Sequence, residues 1–132
     1  MDDSKSIEQL ENDYWNDTEF PTALVESCYR YRKIPLKDMT SQQIRTLVGQ
    51  NIGLKFLLPK AFQILTKNIL IETQFYPGDL LQVVLSVNEW SDDRLKDSVK
   101  KLVAQRRRFI EKKNETNIHR QLLKEIDAFL AQ

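Results

Sequence analysis

Apolar residues along the chain recur mostly three and four positions apart, and strict alternation is scarce, which predicts helices throughout. Leu95, Val99, Leu102, Val103, Arg106, Phe109 and Ile110 form one such stripe. Ile118, Leu122, Ile126, Phe129 and Leu130 form another. Start signals punctuate the pattern. Ser6 with Gln9, and Thr40 with Gln43, fit the capping box, in which N-cap and N3 residues exchange side-chain-to-backbone bonds. Pro21 suits the first turn of a helix over residues 22–32, with Leu24, Val25 and Cys28 on one face. Ser91 reads as an N-cap, followed by Asp92 and Asp93 where the helix dipole favours negative charge.

The stretch YPGDLLQVVLSV, Tyr76 to Val87, is ambiguous by composition, because its β-branched residues also suit a strand. A lone strand among helices would have no partner. Asp79 and Gln82 make a further capping-box-like pair just after Pro77-Gly78. The expectation is a short, buried helix from about Leu80 to Asn88, with Asp79 as a cap contributing about 1 kcal/mol. Before it, the pattern predicts a helix ending near Gly49 and a short helical piece from Ile52 to Leu57. A longer helix then starts near Pro59 and runs to about Ile71, since proline resists an interior helical position. Gly49 and Gly53 read as sites of close packing and chain reversal. No phosphate-cradling glycine motif is present. The fold expected is all-α, a compact single-domain bundle of about six to seven helices over residues 1–132, with an acid-rich N-terminus prone to fray.

Composition narrows the chemistry. Cys28 and His119 are the only residues of their kinds, so no internal disulfide and no zinc site of the usual cysteine–histidine type can form. The uncharged run in the most apolar region, Leu80–Asn88, is far short of the roughly 20 residues of a membrane span. No targeting segment is visible at the acidic N-terminus. The expectation is a soluble, cytoplasmic protein. No carboxylate pair, nucleophile or base stands in a catalytic pattern: His119 lies in a polar segment and Cys28 on an apolar helix face. The chain therefore reads as a non-enzyme that needs no cofactor or metal.

Net charge is only +1, but it is unevenly spread. Residues 1–20 carry seven acidic groups against Lys5, whereas residues 94–120 carry ten bases against Asp97, Glu111 and Glu115. Such asymmetry steers partners. Arg106, Arg107 and Arg108, with Lys100, Lys101, Lys112 and Lys113, could grip phosphates. They lack an interleaved aromatic set, and basic groups also suit the end of a helix. Trp15 and Trp90, each flanked by polar residues, read as rim packing or as interface anchors.

Three segments carry a resemblance: LENDYW, TALVESCYRYRKIPLKDMTSQQIRTLVGQNIGLKFLLPKAFQIL and FYPGDLLQVVL. Over roughly residues 8–90 the chain resembles immunity proteins of bacterial contact-dependent growth inhibition (CDI) systems, most specifically at LVGQNIGL, Pro59 and YPGDLL. The rest matches only as helical pattern. The resemblance implies a protein that does no chemistry. It would bind the C-terminal toxin domain of a contact-delivered effector, often a nuclease, in a one-to-one complex inside the bacterial cell, with no nucleic acid or membrane contact of its own. Nuclease clefts are basic because they bind phosphates, so an acidic surface would complement one. Glu11, Asp13, Asp17 and Glu19 are the candidate partner-binding residues. The alternative is a small helical nucleic-acid-binding regulator using the basic 100–113 surface.

Overall fold

The structure, a computed structural model, describes residues 2–113 and 117–132, apart from the side chains of Asn117 and Ile118. Its elements are α1 (Ile7–Glu11), α2 (Ala23–Tyr31), a 3-10 turn (Leu36–Asp38), α3 (Ser41–Gly49), α4 (Leu54–Lys67), α5 (Asp79–Leu85), α6 (Asp93–Lys112) and α7 (Asn117–Leu130). The fold is all-α, as expected. Among the described residues the strand-like pairings are two isolated bridges, Ser6 with Pro35 and Glu72 with Pro77.

Local signals explain most of the helix starts. Both expected capping boxes form, at Ser6 with Gln9 and at Thr40 with Gln43. Two other starts fall one residue later than the sequence suggested. Thr22, expected inside the helix, instead caps α2 by accepting from the Val25 N–H, and Asp92 rather than Ser91 caps α6 by accepting from Arg94 and Leu95. An aspartate carboxylate serves two amides at once, which a serine hydroxyl does less well. The stripe on α2 is also narrower than expected: Cys28 is buried, but Leu24 is 45% exposed. On α6, Val99, Leu102, Val103 and Ile110 are buried while Phe109 is 47% exposed. On α7, Leu122, Ile126 and Phe129 are buried; the side chain of Ile118 lies outside the described residues.

Pro59 does not divide the fourth helix. α4 runs unbroken from Leu54 to Lys67, with Pro59 one and a half turns in. There it forfeits the bond to the Lys55 carbonyl, a loss the helix absorbs because Leu57, Leu58, Ala61 and Leu65 are all buried on its inner face. The reversal between α3 and α4 rests on Asn51 (φ 58°) and Gly53 (φ 64°), both left-handed. Gly53 has a second reason to be glycine: a β-carbon there would lie 2.7 Å from Ile7 Cδ1. The first helix is thus keyed into the start of α4.

At the centre, α5 packs against α3, α4 and α7, while α6 and α7 form an antiparallel hairpin along one side. Leu80, Leu81 and Val84 are each at most 1% exposed, as a helix apolar nearly all round requires. We expect Leu81→Ala to cost about 2–4 kcal/mol and Val84→Ala about 1–3 kcal/mol, since each deletion leaves a cavity that a close-packed centre cannot collapse. Urea midpoints would rank them; a neutral Leu81→Ala would remove α5 from the core.

Asp79 is not the cap the sequence suggested. The cap position is Gly78 (φ 91°), without a side-chain bond, and Asp79 is the first residue of α5. Its carboxylate instead turns back onto the preceding loop. Oδ1 accepts from the Thr73 N–H and hydroxyl, both at 2.9 Å, and Oδ2 from the Gln74 and Phe75 N–H groups, both at 3.0 Å. Arg45 stands 4.0 Å from Oδ2 and lies over the Phe75 ring at 4.6 Å. Burial raises the pKa of this carboxyl, but the hydrogen bonds from Phe75, Thr73 and Gln74 outweigh it and hold the group below the ordinary range.

Candidate partner-binding surface

After α1 the chain turns at Asn12, which is left-handed, and residues 13–20 run as an irregular strap to the start of α2. What fixes the strap is Arg32, just past the end of α2. It is 1% exposed. One guanidinium nitrogen, Nη2, donates to Glu11 Oε1 at 3.0 Å and to the Asp13 carbonyl at 2.8 Å, with the Asp13 carboxylate at 3.9 Å. The guanidinium carbon lies over the Trp15 ring, 3.8 Å from its centroid, a cation–π contact. Arg32 Nε and Nη1 are buried without a hydrogen-bond partner among the described residues.

Aromatic contacts extend the latch. Tyr29 packs against Trp15, with ring centroids 4.9 Å apart, and against Phe20 edge-on at 4.6 Å. Its hydroxyl donates to Asp17, and that hydrogen bond to a carboxylate raises the tyrosine pKa. Trp15 is therefore a half-buried staple, in line with the rim-packing reading, while Tyr14 beside it is 50% exposed. Of the four acidic candidates, Glu11 and Asp13 converge on Arg32, and Asp17 sits on Tyr29. Glu19 is exposed and outside this cluster. Sequence reasoning missed Arg32 and Tyr29, because nothing in ESCYRYRK marks which cation turns inward.

The basic run is partly committed to structure. Arg107 grips Asp127 through two bonds, at 2.8 and 2.9 Å, and reaches Glu111 at 3.3 Å, clipping α6 to α7. Lys100 donates to the Gln132 carbonyl. Burial raises the Cys28 thiol pKa, which disfavours the nucleophilic thiolate. Among the described residues no three histidine, cysteine or carboxylate side chains cluster as a metal site would require. Among the described residues no helix is long and apolar enough to cross a membrane. Trp90, also half-buried, lies 6.0 Å from Phe129 and lines a groove of about 810 Å³ with Leu10, Leu54, Phe56, Pro59 and Leu95.

Comparison with known families bears on these features directly. A family model described as CDI immunity proteins matches residues 9–102, well over half of the chain. The chain belongs to this family. No curated protein matches it. The matched span of this CDI immunity protein contains the Arg32 latch, the whole strap, the Asp79 loop and the central helix. It ends within α6, so α7 lies beyond it. The resemblance carried by LENDYW, LVGQNIGL and YPGDLL is thereby established at family level.

Proposed function

We propose that this CDI immunity protein neutralises a nuclease toxin, binding the C-terminal domain of a contact-delivered effector one-to-one in the bacterial cytoplasm and doing no chemistry itself. The family membership carries this reading. Protection demands near-complete occupancy at low toxin concentration; a nanomolar complex corresponds to about 12 kcal/mol. The acidic strap supports a basic partner. Its charges stand on a segment already ordered by Arg32 and Tyr29, so little freedom remains to be lost on binding. The alternative, nucleic-acid binding through residues 100–113, is weakened by the use of Arg107 and Lys100 in intramolecular contacts.

The test is association kinetics with the toxin domain encoded beside this protein, at two salt concentrations. Neutralising Glu11, Asp13, Asp17 and Glu19 together removes the steering field but also unlatches Arg32. The pair Asp17→Asn with Glu19→Gln leaves the Arg32 contacts in place and still offers the Tyr29 hydroxyl an acceptor oxygen at position 17, so it removes charge while keeping the latch. We expect that pair to slow association several-fold at low salt and to flatten its salt dependence, because exposed charges act over a Debye length of about 8 Å in physiological salt. Dissociation should change less. Association as fast as the parent's at low salt would turn the strap away from the toxin.

A further inference from the structure

A second surface has the opposite character. Lys37 on the 3-10 turn, and Lys60 and Lys67 at helical spacing on α4, rim a depression of about 360 Å³ whose floor includes Met39, Ile64 and Ile71. A neighbouring depression of about 190 Å³ shares Lys67 and Asn68 and adds Arg106 and Phe109. The two therefore form one continuous track. No carboxylate lines either part. Asp3 approaches Lys60 from outside at 3.5 Å, whereas Lys37 and Lys67 have no carboxylate partner among the described residues. The contrast with Arg32, Lys33 and Arg107, each paired to an acid, is plain.

Phe109 sharpens the point. It belongs by spacing to the apolar stripe of α6, yet it is 47% exposed at the end of this track, with Lys113 Nζ 5.7 Å from its ring centroid. An exposed aromatic beside cations, next to an apolar floor, has the composition of a contact anchor. The floor is mainly aliphatic and divided between the two hollows. Nucleic acid would ask instead for aromatic platforms along a basic groove.

We propose that this track receives an acidic segment of the toxin domain, with apolar side chains entering the hollows and carboxylates meeting Lys37, Lys60, Lys67 and Arg106. The inference rests on the immunity reading above and assigns it a second contact, separate in charge from the acidic strap. Lysine acetylation footprinting of the unmodified protein, alone and with the catalytically inactivated toxin domain encoded beside it, tests this. Lys37, Lys60 and Lys67 should be protected at least fivefold, while Lys55 and Lys124, which lie off the track, stay within twofold. The double variant Lys37→Glu/Lys67→Glu, at two exposed positions, should fold normally and bind the toxin domain at least tenfold more weakly.

A complex that forms without protecting the three lysines, or that tolerates the double variant, overturns the track but leaves the immunity reading standing. Failure of any complex to form overturns both. Protection by a 20-nucleotide single-stranded RNA, and not by the toxin domain, would assign the track to nucleic acid and overturn the proposal.

Discussion

Asp79→Asn should lower the urea midpoint far more than loss of a helix cap would, by an amount equivalent to about 3–5 kcal/mol. The carboxylate is fully buried and accepts four hydrogen bonds, from Thr73, Gln74 and Phe75. Asparagine keeps the shape but offers one acceptor oxygen, and its amide nitrogen would face backbone donors. Hydrogen bonds to a charged group contribute roughly 1.5–3 kcal/mol each, and an unsatisfied buried donor costs a comparable amount. A total native stability of about 5–15 kcal/mol leaves little reserve against that. Thr73→Val, which removes only the hydroxyl, should cost about 1–2 kcal/mol.

The same group sets a pH signature. Its pKa is lower in the folded protein than in the unfolded chain, so its stabilisation is fully present above the unfolded value, about 4. That stabilisation is lost as pH falls through the lower folded value. The parent should lose stability on acidification below about pH 4, and Asp79→Asn should lose less over the same interval. Parallel acid limbs for the two proteins would contradict the assignment.

Arg32→Ala should release the strap. The substitution removes the bonds to Glu11 and the Asp13 carbonyl and takes the cation from beneath Trp15. Glu11 is partly exposed and can be rehydrated, so the cost should be about 2–3 kcal/mol, below the 3–5 kcal/mol of breaking a fully buried pair. Arg32→Met restores much of the packing volume and should recover stability without recovering the latch. Two readouts separate order from stability, both taken in a Trp90→Phe background. Trp15 emission should shift to the red in either variant, and chymotrypsin should cut near Tyr14 at least tenfold faster. An unchanged emission maximum in Arg32→Met would mean that the aromatic contacts alone hold the strap.

The elements that the sequence disclosed are those governed by local rules. Capping boxes at Ser6 and Thr40 specify their own geometry within four residues, and the α5 stripe could not sit on a surface. Expectation and structure part company where one residue satisfies two distant demands. Asp79 stands in a capping register, yet the loop behind it has three amides to satisfy, and a buried carboxylate serves those better. Pro59 resists helix by its own chemistry, yet the burial of Leu57, Leu58, Ala61 and Leu65 on both sides of it prevails. Phe109 fits the stripe by spacing and is 47% exposed nonetheless, while its neighbour Ile110 is fully buried; spacing alone does not decide which of two adjacent apolar residues turns inward. At the candidate surface the acids were legible as charge. Their inward partners were not, because Arg30, Arg32 and Lys33 are near neighbours in sequence and only the three-dimensional path decides which is buried.

The hairpin of α6 and α7 makes the tail of this chain a wall of its core. The family match spans residues 9–102, and from outside it Leu122 Cδ2 lies 3.0 Å from where a β-carbon on Gly78 would stand, at the threshold of the central helix. What the last helix must supply is a volume and an angle, and many different sequences can supply those. A chimaera that exchanges tails between relatives would have to match the bulk at Leu122, Ile126 and Phe129 and the Arg107–Asp127 clip, and could differ nearly everywhere else.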